Sequence, residues 1–140
     1  IPLHSLSHLH GNDDVRSCLA GIRKSLKKDG RLAFAVHNPD PAVLARDPDE
    51  VFRIHPGIAG VAAYESSRYD SAGQLLDLSW FVETSGGTER FAYTLRMFFP
   101  LEIVSMLECS GFRVEQRYGW YDGTPFTEES GTHILVASKA

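Results

Sequence analysis

An uninterrupted apolar run, residues 32–36, constrains the fold more than any other feature of the chain. Strands with apolar residues on both faces are typical of parallel sheets that helices cover on both sides. The run follows a helical pattern of apolar residues, formed by Val15, Cys18, Leu19, Ile22 and Leu26. Asn12 is expected to cap the start of this helix, and Gly30 to end it in the left-handed conformation. A strand end, a helix and a buried strand in this order indicate the second half of a βαβ unit.

The middle of the chain changes to the alternation of apolar and polar residues that is typical of half-buried strands. We predict strands at residues 61–69, 74–84 and 89–98, joined by turns rich in Gly and Ser. Pro48 and Pro56 interrupt the preceding segment, and no strand is predicted there. The pattern therefore predicts an antiparallel meander.

The carboxyl-terminal part of the chain returns to a helix and two strands. Pro100 suits the first turn of a helix, because its missing N–H needs no partner there. The inner face of this helix is expected to consist of Leu101, Val104 and Leu107. Strands are predicted at residues 113–120 and 133–138, with a loop between them.

Composition narrows the function classes. The chain has 140 residues, of which 43% are hydrophobic, and this suits one folded domain of ordinary size. A net charge of −4 argues against a nucleic-acid-binding surface. No apolar stretch approaches the ~18 residues of a membrane span, and no signal-peptide pattern is visible. Two cysteines are too few for a disulfide scaffold. We therefore expect a cytoplasmic protein with no nucleic-acid and no membrane partner.

Few residues form a recognisable catalytic pattern. His4 and His8 have the spacing of a helical zinc pair, but Pro2 disfavours a helix there, and loop histidines are the favoured alternative. No metal site is therefore predicted. The serines lie outside a G-x-S-x-G motif, and the chain has no phosphate-binding glycine loop. Asp122 follows a strand rich in aromatic residues and would either contact a ligand or, more commonly, form a turn. No catalytic residue is assigned from these patterns.

Seven short segments stand in a specific order along the chain. They are residues 1–9 (IPLHSLSHL), 26–32 (LKKDGRL), 36–41 (VHNPDP), 64–70 (YESSRYD), 95–102 (LRMFFPLE), 110–112 (SGF) and 118–126 (YGWYDGTPF). In this order and spacing they resemble the segments from the end of the fourth strand onward in class I S-adenosylmethionine-dependent methyltransferases. The resemblance covers essentially the whole chain, and it implies the carboxyl-terminal part of such an enzyme.

The fold class that the resemblance implies is α/β. The chain would form the carboxyl-terminal half of a Rossmann-like methyltransferase sheet with an inserted antiparallel β-meander. It would then be a single partial domain with a βαβ-like segment (1–41), an antiparallel insertion (58–99) and a helix followed by two strands (100–140).

The resemblance also implies S-adenosylmethionine as the cofactor, lying across the carboxyl ends of the strands. The glycine loop and the ribose-binding acid of such enzymes are not in this chain, so cofactor binding would need the missing amino-terminal half. The implied cofactor-binding residues are Leu3, His4 and Ser5 at the methionine end, with His8 or Leu9 at its side. The implied acceptor-binding residues are Arg96, Tyr118, Trp120 and Asp122. The alternatives are a structural ion pair for Arg96 and packing for the two aromatic residues.

Two functions from different classes follow. In the first, the parent protein transfers a methyl group to a small-molecule acceptor, and this chain is a fragment that is inactive alone. In the second, the chain is a non-catalytic binding or dimerisation module, because unpaired sheet edges invite pairing into a homodimer.

Overall fold

A computed structural model describes residues 1–58 and 61–140, and side chains are described outside residues 55–61. It divides the chain into two units, one of residues 1–39 and 96–140 and the other of residues 40–95. The second unit begins before the insertion predicted at residues 58–99, because the chain forms a strand that the sequence pattern did not indicate.

The first unit is built on a three-stranded sheet whose central strand runs against both neighbours. Its strands are β1 (Arg31–His37), β6 (Phe112–Tyr118) and β7 (Thr132–Lys139), in the order β1-β7-β6. Since β1 and β6 both pair with β7 in the antiparallel sense, they run in the same direction. The parallel pairing expected for β1 is therefore not found within the described part of the chain. Instead, the amino group of Ile1 donates to the Ala33 carbonyl at 2.7 Å.

Helix α1 (Asn12–Ser25) confirms the helical pattern, but both of its ends differ from the prediction. Gly11 is the N-cap, and Asn12 is already helical because its side chain accepts a hydrogen bond from Arg96. The helix ends where Leu26 becomes extended, before Gly30, whose φ is not positive. A Cβ on Gly30 would lie 3.1 Å from the backbone N and O of Lys27, so close approach, and not a left-handed turn, requires this glycine.

Helix α3 (Pro100–Cys109) begins at the predicted proline, and its predicted inner face is correct at Leu107 and at Val104, which packs against the core, but wrong at Leu101. Ile103 and Leu107 are fully buried, whereas Leu101 is 75% exposed. Residues 103 and 107 are one helical turn apart, and residue 101 lies away from that stripe. The core that α1 and α3 form with the sheet consists of Leu6, Val15, Leu19, Leu32, Phe34, Val36, Phe98, Ile103, Leu107, Phe112, Leu135 and Ala137.

The second unit is a four-stranded sheet preceded by the short helix α2 (Pro41–Leu44). Its strands are β2 (Phe52–Ile58), β3 (Val61–Asp70), β4 (Leu75–Thr84) and β5 (Gly87–Arg96), in the order β2-β3-β4-β5. The meander is confirmed, but the absence of a strand before it was wrong. Pro56 lies in β2, which is an edge strand with irregular register, and edge strands tolerate proline because one side needs no hydrogen bonds.

Among residues 1–58 and 61–140, no helix combines the length and the apolar character that are needed to cross a membrane.

Candidate functional site

Two histidines lie face to face where β1 ends. His37 is the last residue of β1, and the imidazole ring of His4 stacks on it with 3.8 Å between centroids and 17° between planes. The segment that carries His4 runs beside β1 before it enters a 3-10 turn at Ser5–His8. Ligands of open α/β sheets bind at the carboxyl ends of the strands, so this pair lies where such a site is expected.

The backbone that positions His4 is strained. Leu3 and His4 have φ values of 52° and 57°, which is the left-handed region that residues other than glycine rarely adopt. Two such residues in succession cost on the order of 1–3 kcal/mol each, and strain of this kind is concentrated at functional sites. Leu3 is also 80% exposed, so burial of its side chain does not offset this cost.

Both rings of the stacked pair are neutral at pH 7. Burial, and after it the neighbouring His37, lowers the pKa of His4 to about 4. Burial also lowers the pKa of His37 below its usual value. Nε2 of His4 is buried without a hydrogen-bond partner. Since a buried N–H without an acceptor is costly, the arrangement of lower energy has the single proton of the neutral His4 ring on Nδ1.

The other cofactor-binding candidates divide into two groups. The Ser5 hydroxyl donates to the Pro2 carbonyl at 2.7 Å and stays close to the His4 turn. His8 is exposed, and Leu9 packs against the core of the first unit. The structure therefore brings Leu3, His4 and Ser5 together in one turn and places Leu9 in a structural role.

Arg96 is held by groups of its own unit. Its Nη2 donates to Asn12 Oδ1 at 2.6 Å and to Glu102 Oε1 at 2.7 Å, and its Nη1 donates to the His10 carbonyl at 3.3 Å. The side chain is 5% exposed, and its guanidinium carbon lies 4.8 Å from the centre of the Phe98 ring. This geometry favours the structural ion pair over contact with an acceptor.

The loop that follows β6 presents two exposed aromatic residues. Tyr118 ends β6 opposite Ile134 and bridges to Pro125. Trp120 and Tyr121 are 56% and 58% exposed and meet edge to face with 5.4 Å between ring centroids. Tyr121, which sequence reasoning did not single out, also lines a groove of about 280 Å³ together with Ile1, Pro2, three residues of β1 and Ile134.

Asp122 forms the turn of this loop. Its Oδ1 accepts hydrogen bonds from the Thr124 backbone at 2.9 Å and from the Thr124 hydroxyl at 2.6 Å. These hydrogen bonds lower the pKa of the fully exposed carboxyl group. The geometry therefore favours the turn-forming alternative, because the carboxylate is already satisfied by its own loop.

A buried histidine anchors the far side of the same loop. His133, with 0% exposure, accepts at Nε2 a hydrogen bond from Arg117 Nε at 2.9 Å and stacks on Phe126 at 4.0 Å. Burial, followed by the charge of Arg117, lowers its pKa to about 4. Asn38, just after β1, donates from Nδ2 to the Ser130 carbonyl at 2.8 Å. The sequence signal for this cluster was weak, since its members are separated along the chain.

No three His, Cys, Asp or Glu side chains among residues 1–58 and 61–140 lie close enough together to hold a metal ion.

Comparison with solved structures decides the fold. The chain superposes over 99% of its length, with a TM-score of 0.87 and 23% identity, on the CcbJ methyltransferase from Streptomyces caelestis. An S-adenosylmethionine-dependent methyltransferase from Clostridium acetobutylicum matches over 99% of the chain, with a TM-score of 0.78 and 14% identity. The fold is that of the carboxyl-terminal part of a class I methyltransferase.

The chain also superposes on an amino pentose methyltransferase from Micromonospora echinaspora, which was solved with S-adenosylmethionine bound. This match covers 99% of the chain, with a TM-score of 0.61 and 18% identity. The chain spans 55–56% of the length of these three proteins. No protein-family model matches the sequence, and no curated protein matches it either.

Proposed function

We propose that the protein to which this chain belongs transfers a methyl group from S-adenosylmethionine to a small-molecule acceptor. The observation that carries the proposal is the fold match over 99% of the chain to proteins described as S-adenosylmethionine-dependent methyltransferases. The strained Leu3–His4 turn beside the end of β1 supports it, because that is where the cofactor crevice of such a sheet is expected.

His4 fits the cofactor as a hydrogen-bond donor and not as a base. The cofactor supplies an electrophilic methyl group on a positively charged sulfonium. A neutral imidazole beside it adds no charge repulsion, and the Nδ1–H of His4 would bind an oxygen of its amino acid end. His37 keeps the His4 ring in place by stacking, and Leu3 and Ser5 complete the turn. The chemistry itself needs mainly the alignment of acceptor and methyl group.

The rest of the cofactor site is proposed to lie outside this chain. The sequence contains neither a G-x-G-x-G loop nor the acid that would hold the ribose hydroxyls. The matched proteins are nearly twice as long as this chain. We therefore expect this chain alone to bind the cofactor too weakly for catalysis.

The acceptor is proposed to lie against the loop that follows β6. Trp120 and Tyr121 expose aromatic surface there, and Tyr118 stands at the base of the loop. The Nη groups of Arg96 and the Oδ1 of Asp122 have partners within the fold, so in this proposal both residues act on stability.

The test is methyl transfer by the protein expressed from its complete coding sequence. S-adenosylmethionine with a deuterated methyl group is incubated with candidate amines and alcohols, and products are detected by mass spectrometry. We expect transfer by the complete protein and none by residues 1–140 alone. His4→Asn, which keeps an N–H donor, should retain more activity than His4→Phe, which keeps only the ring. A folded complete protein that binds no S-adenosylhomocysteine would refute the proposal.

A homodimer formed through sheet edges remains a second proposal. β2 and β5 are the outer strands of the four-stranded sheet, and outer strands carry backbone groups that can pair with another chain. Light scattering on purified protein distinguishes a monomer from a homodimer, and a monomer at all concentrations would contradict pairing through sheet edges. The cytoplasmic location expected from the sequence also stays a prediction.

A further inference from the structure

One transverse row of the four-stranded sheet combines a carboxylate with aromatic rings. Glu65 on β3 lies opposite Phe52 on β2 and opposite Trp80 on β4. Tyr93 on β5 meets the Trp80 ring edge to face at 6.0 Å. Phe91 shares the face of Tyr93, because residues two apart on a strand point to the same side. The row therefore sets one acidic group among four aromatic residues.

The polar groups of this row are linked to each other. Arg46 Nη1 donates to Glu65 Oε1 at 3.0 Å, and Trp80 Nε1 donates to Glu65 Oε2 at 2.7 Å. The Arg46 guanidinium also lies over the Phe52 ring, 4.6 Å from its centre. Each carboxylate oxygen of Glu65 has a lone pair left after accepting one bond, so the group can accept from a ligand as well.

The arrangement fixes an indole ring that is still accessible. Trp80 is held by Glu65 at its N–H and by Tyr93 at its edge, yet it is 37% exposed, and Phe91 is 52% exposed. The Arg46 and Glu65 side chains are 26% and 14% exposed, so the ion pair is partly buried beside the ring. Immobilising these side chains before a ligand arrives removes part of the entropic cost of binding.

The chemistry of the row selects among ligand classes. Arg46 already neutralises Glu65, so a simple cation would gain little. A purely apolar ligand would cover Glu65 and Arg46 without giving them new polar partners, which is costly. An anionic ligand would be repelled by the Glu65 carboxylate. A ring with an apolar C–H face and hydroxyl groups at its edge satisfies both the Trp80 surface and the Glu65–Arg46 pair.

We propose that the row of Phe52, Glu65 and Trp80, together with Phe91 and Tyr93 on the same face, is a saccharide-binding surface, with the sugar ring stacked on Trp80 and a hydroxyl bound by Glu65. Binding of a sugar to this surface does not depend on the function proposed above, so the two proposals can fail separately.

Fluorescence of Trp80 tests the proposal. The chain has two tryptophans, so Trp120→Phe leaves Trp80 as the single emitter. This variant is titrated with methyl glycosides of xylose, glucose and glucosamine. Tetramethylammonium and cyclohexane, which has no hydroxyl group, serve as the cationic and the apolar comparison. We expect a saturable change in Trp80 emission with at least one glycoside and none with the two comparison compounds.

Two further variants give the test its controls. Glu65→Gln should weaken glycoside binding about tenfold, because it removes the charge from the accepting group. Phe81→Leu should leave binding unchanged, since Phe81 neighbours Trp80 on β4 and so faces the opposite side of the sheet, where it lies 5.9 Å from the Arg90 guanidinium carbon. Circular dichroism confirms that each variant is folded. A folded Trp120→Phe protein that responds to no glycoside, or only to tetramethylammonium, overturns the proposal, whatever S-adenosylhomocysteine does in the same sample.

Discussion

Acidification should destabilise the first unit through His133, and the size of the effect follows from its contacts. The ring has 0% exposure, and Arg117 donates to its Nε2, so the folded protein holds it neutral. Its pKa falls from 6.5 to about 4 on folding. Each pKa unit corresponds to about 1.4 kcal/mol, which sets an upper limit of about 3 kcal/mol for this group.

The sign of the effect comes from proton binding. Between pH 6.5 and pH 4 the unfolded chain binds the His133 proton and the folded protein does not. The free energy of unfolding therefore falls as the pH is lowered through this window and stops changing through His133 below it. His4 and His37 contribute in the same direction because their pKa values are also lowered.

The assay compares the protein with His133→Gln by urea denaturation at pH 7 and at pH 4. Glutamine offers Arg117 an acceptor oxygen but takes up no proton in this range. We expect the unchanged protein to lose about 2–3 kcal/mol more than the variant between the two pH values. The difference between the two proteins removes the contributions of His4 and His37. Equal losses in both would refute the assignment of a buried neutral His133.

Three further predictions concern residues that the sequence placed in the site. Arg96→Met should lower the free energy of unfolding by about 3 kcal/mol in urea denaturation, because the Glu102 carboxylate loses its guanidinium partner. Adding Glu102→Gln should recover part of this loss. A loss below about 1 kcal/mol for Arg96→Met would contradict a structural pair. Asp122→Asn should leave the urea midpoint nearly unchanged and methyl transfer by the complete protein within about twofold, since Asn supports the same turn to Thr124. In that protein, a catalytic carboxylate would instead show a loss of about 100-fold or more in a steady-state assay. His4 should give NMR nitrogen shifts of an Nδ1-protonated neutral ring at pH 7, and an Nε2-protonated ring would contradict the donor role.

Periodicity allowed most elements of the chain to be predicted, and tertiary contacts explain where it failed. The apolar run before His37 and the alternation of the meander gave the correct strands, because burial imposes those patterns directly. Pro56 was misleading, since its effect depends on whether a strand is at an edge. Asn12 became helical instead of capping because Arg96, distant in sequence, takes its side chain. Local signals do not contain either fact.

The candidate site could also be predicted only in part, because local sequence patterns do not show which distant residues meet in the fold. Resemblance directed attention to His4 because it lies in a contiguous motif, but its stacking partner His37 was quoted only as the end of a strand. The roles of Arg96 and Asp122 depended on which polar groups the fold brings to them, and those groups became visible only with the structure. The Glu65–Trp80 pair requires knowledge of strand register, which alternation alone does not fix.

The most direct test of the central claim is the location of cofactor binding in the complete protein. Nitrogen and carbon NMR signals of the histidine side chains are followed while S-adenosylhomocysteine is added. We predict the largest shifts at His4 and His37, which form the stacked pair at the end of β1, and little change at His133. Saturable binding that leaves the His4 and His37 signals unmoved would contradict the account.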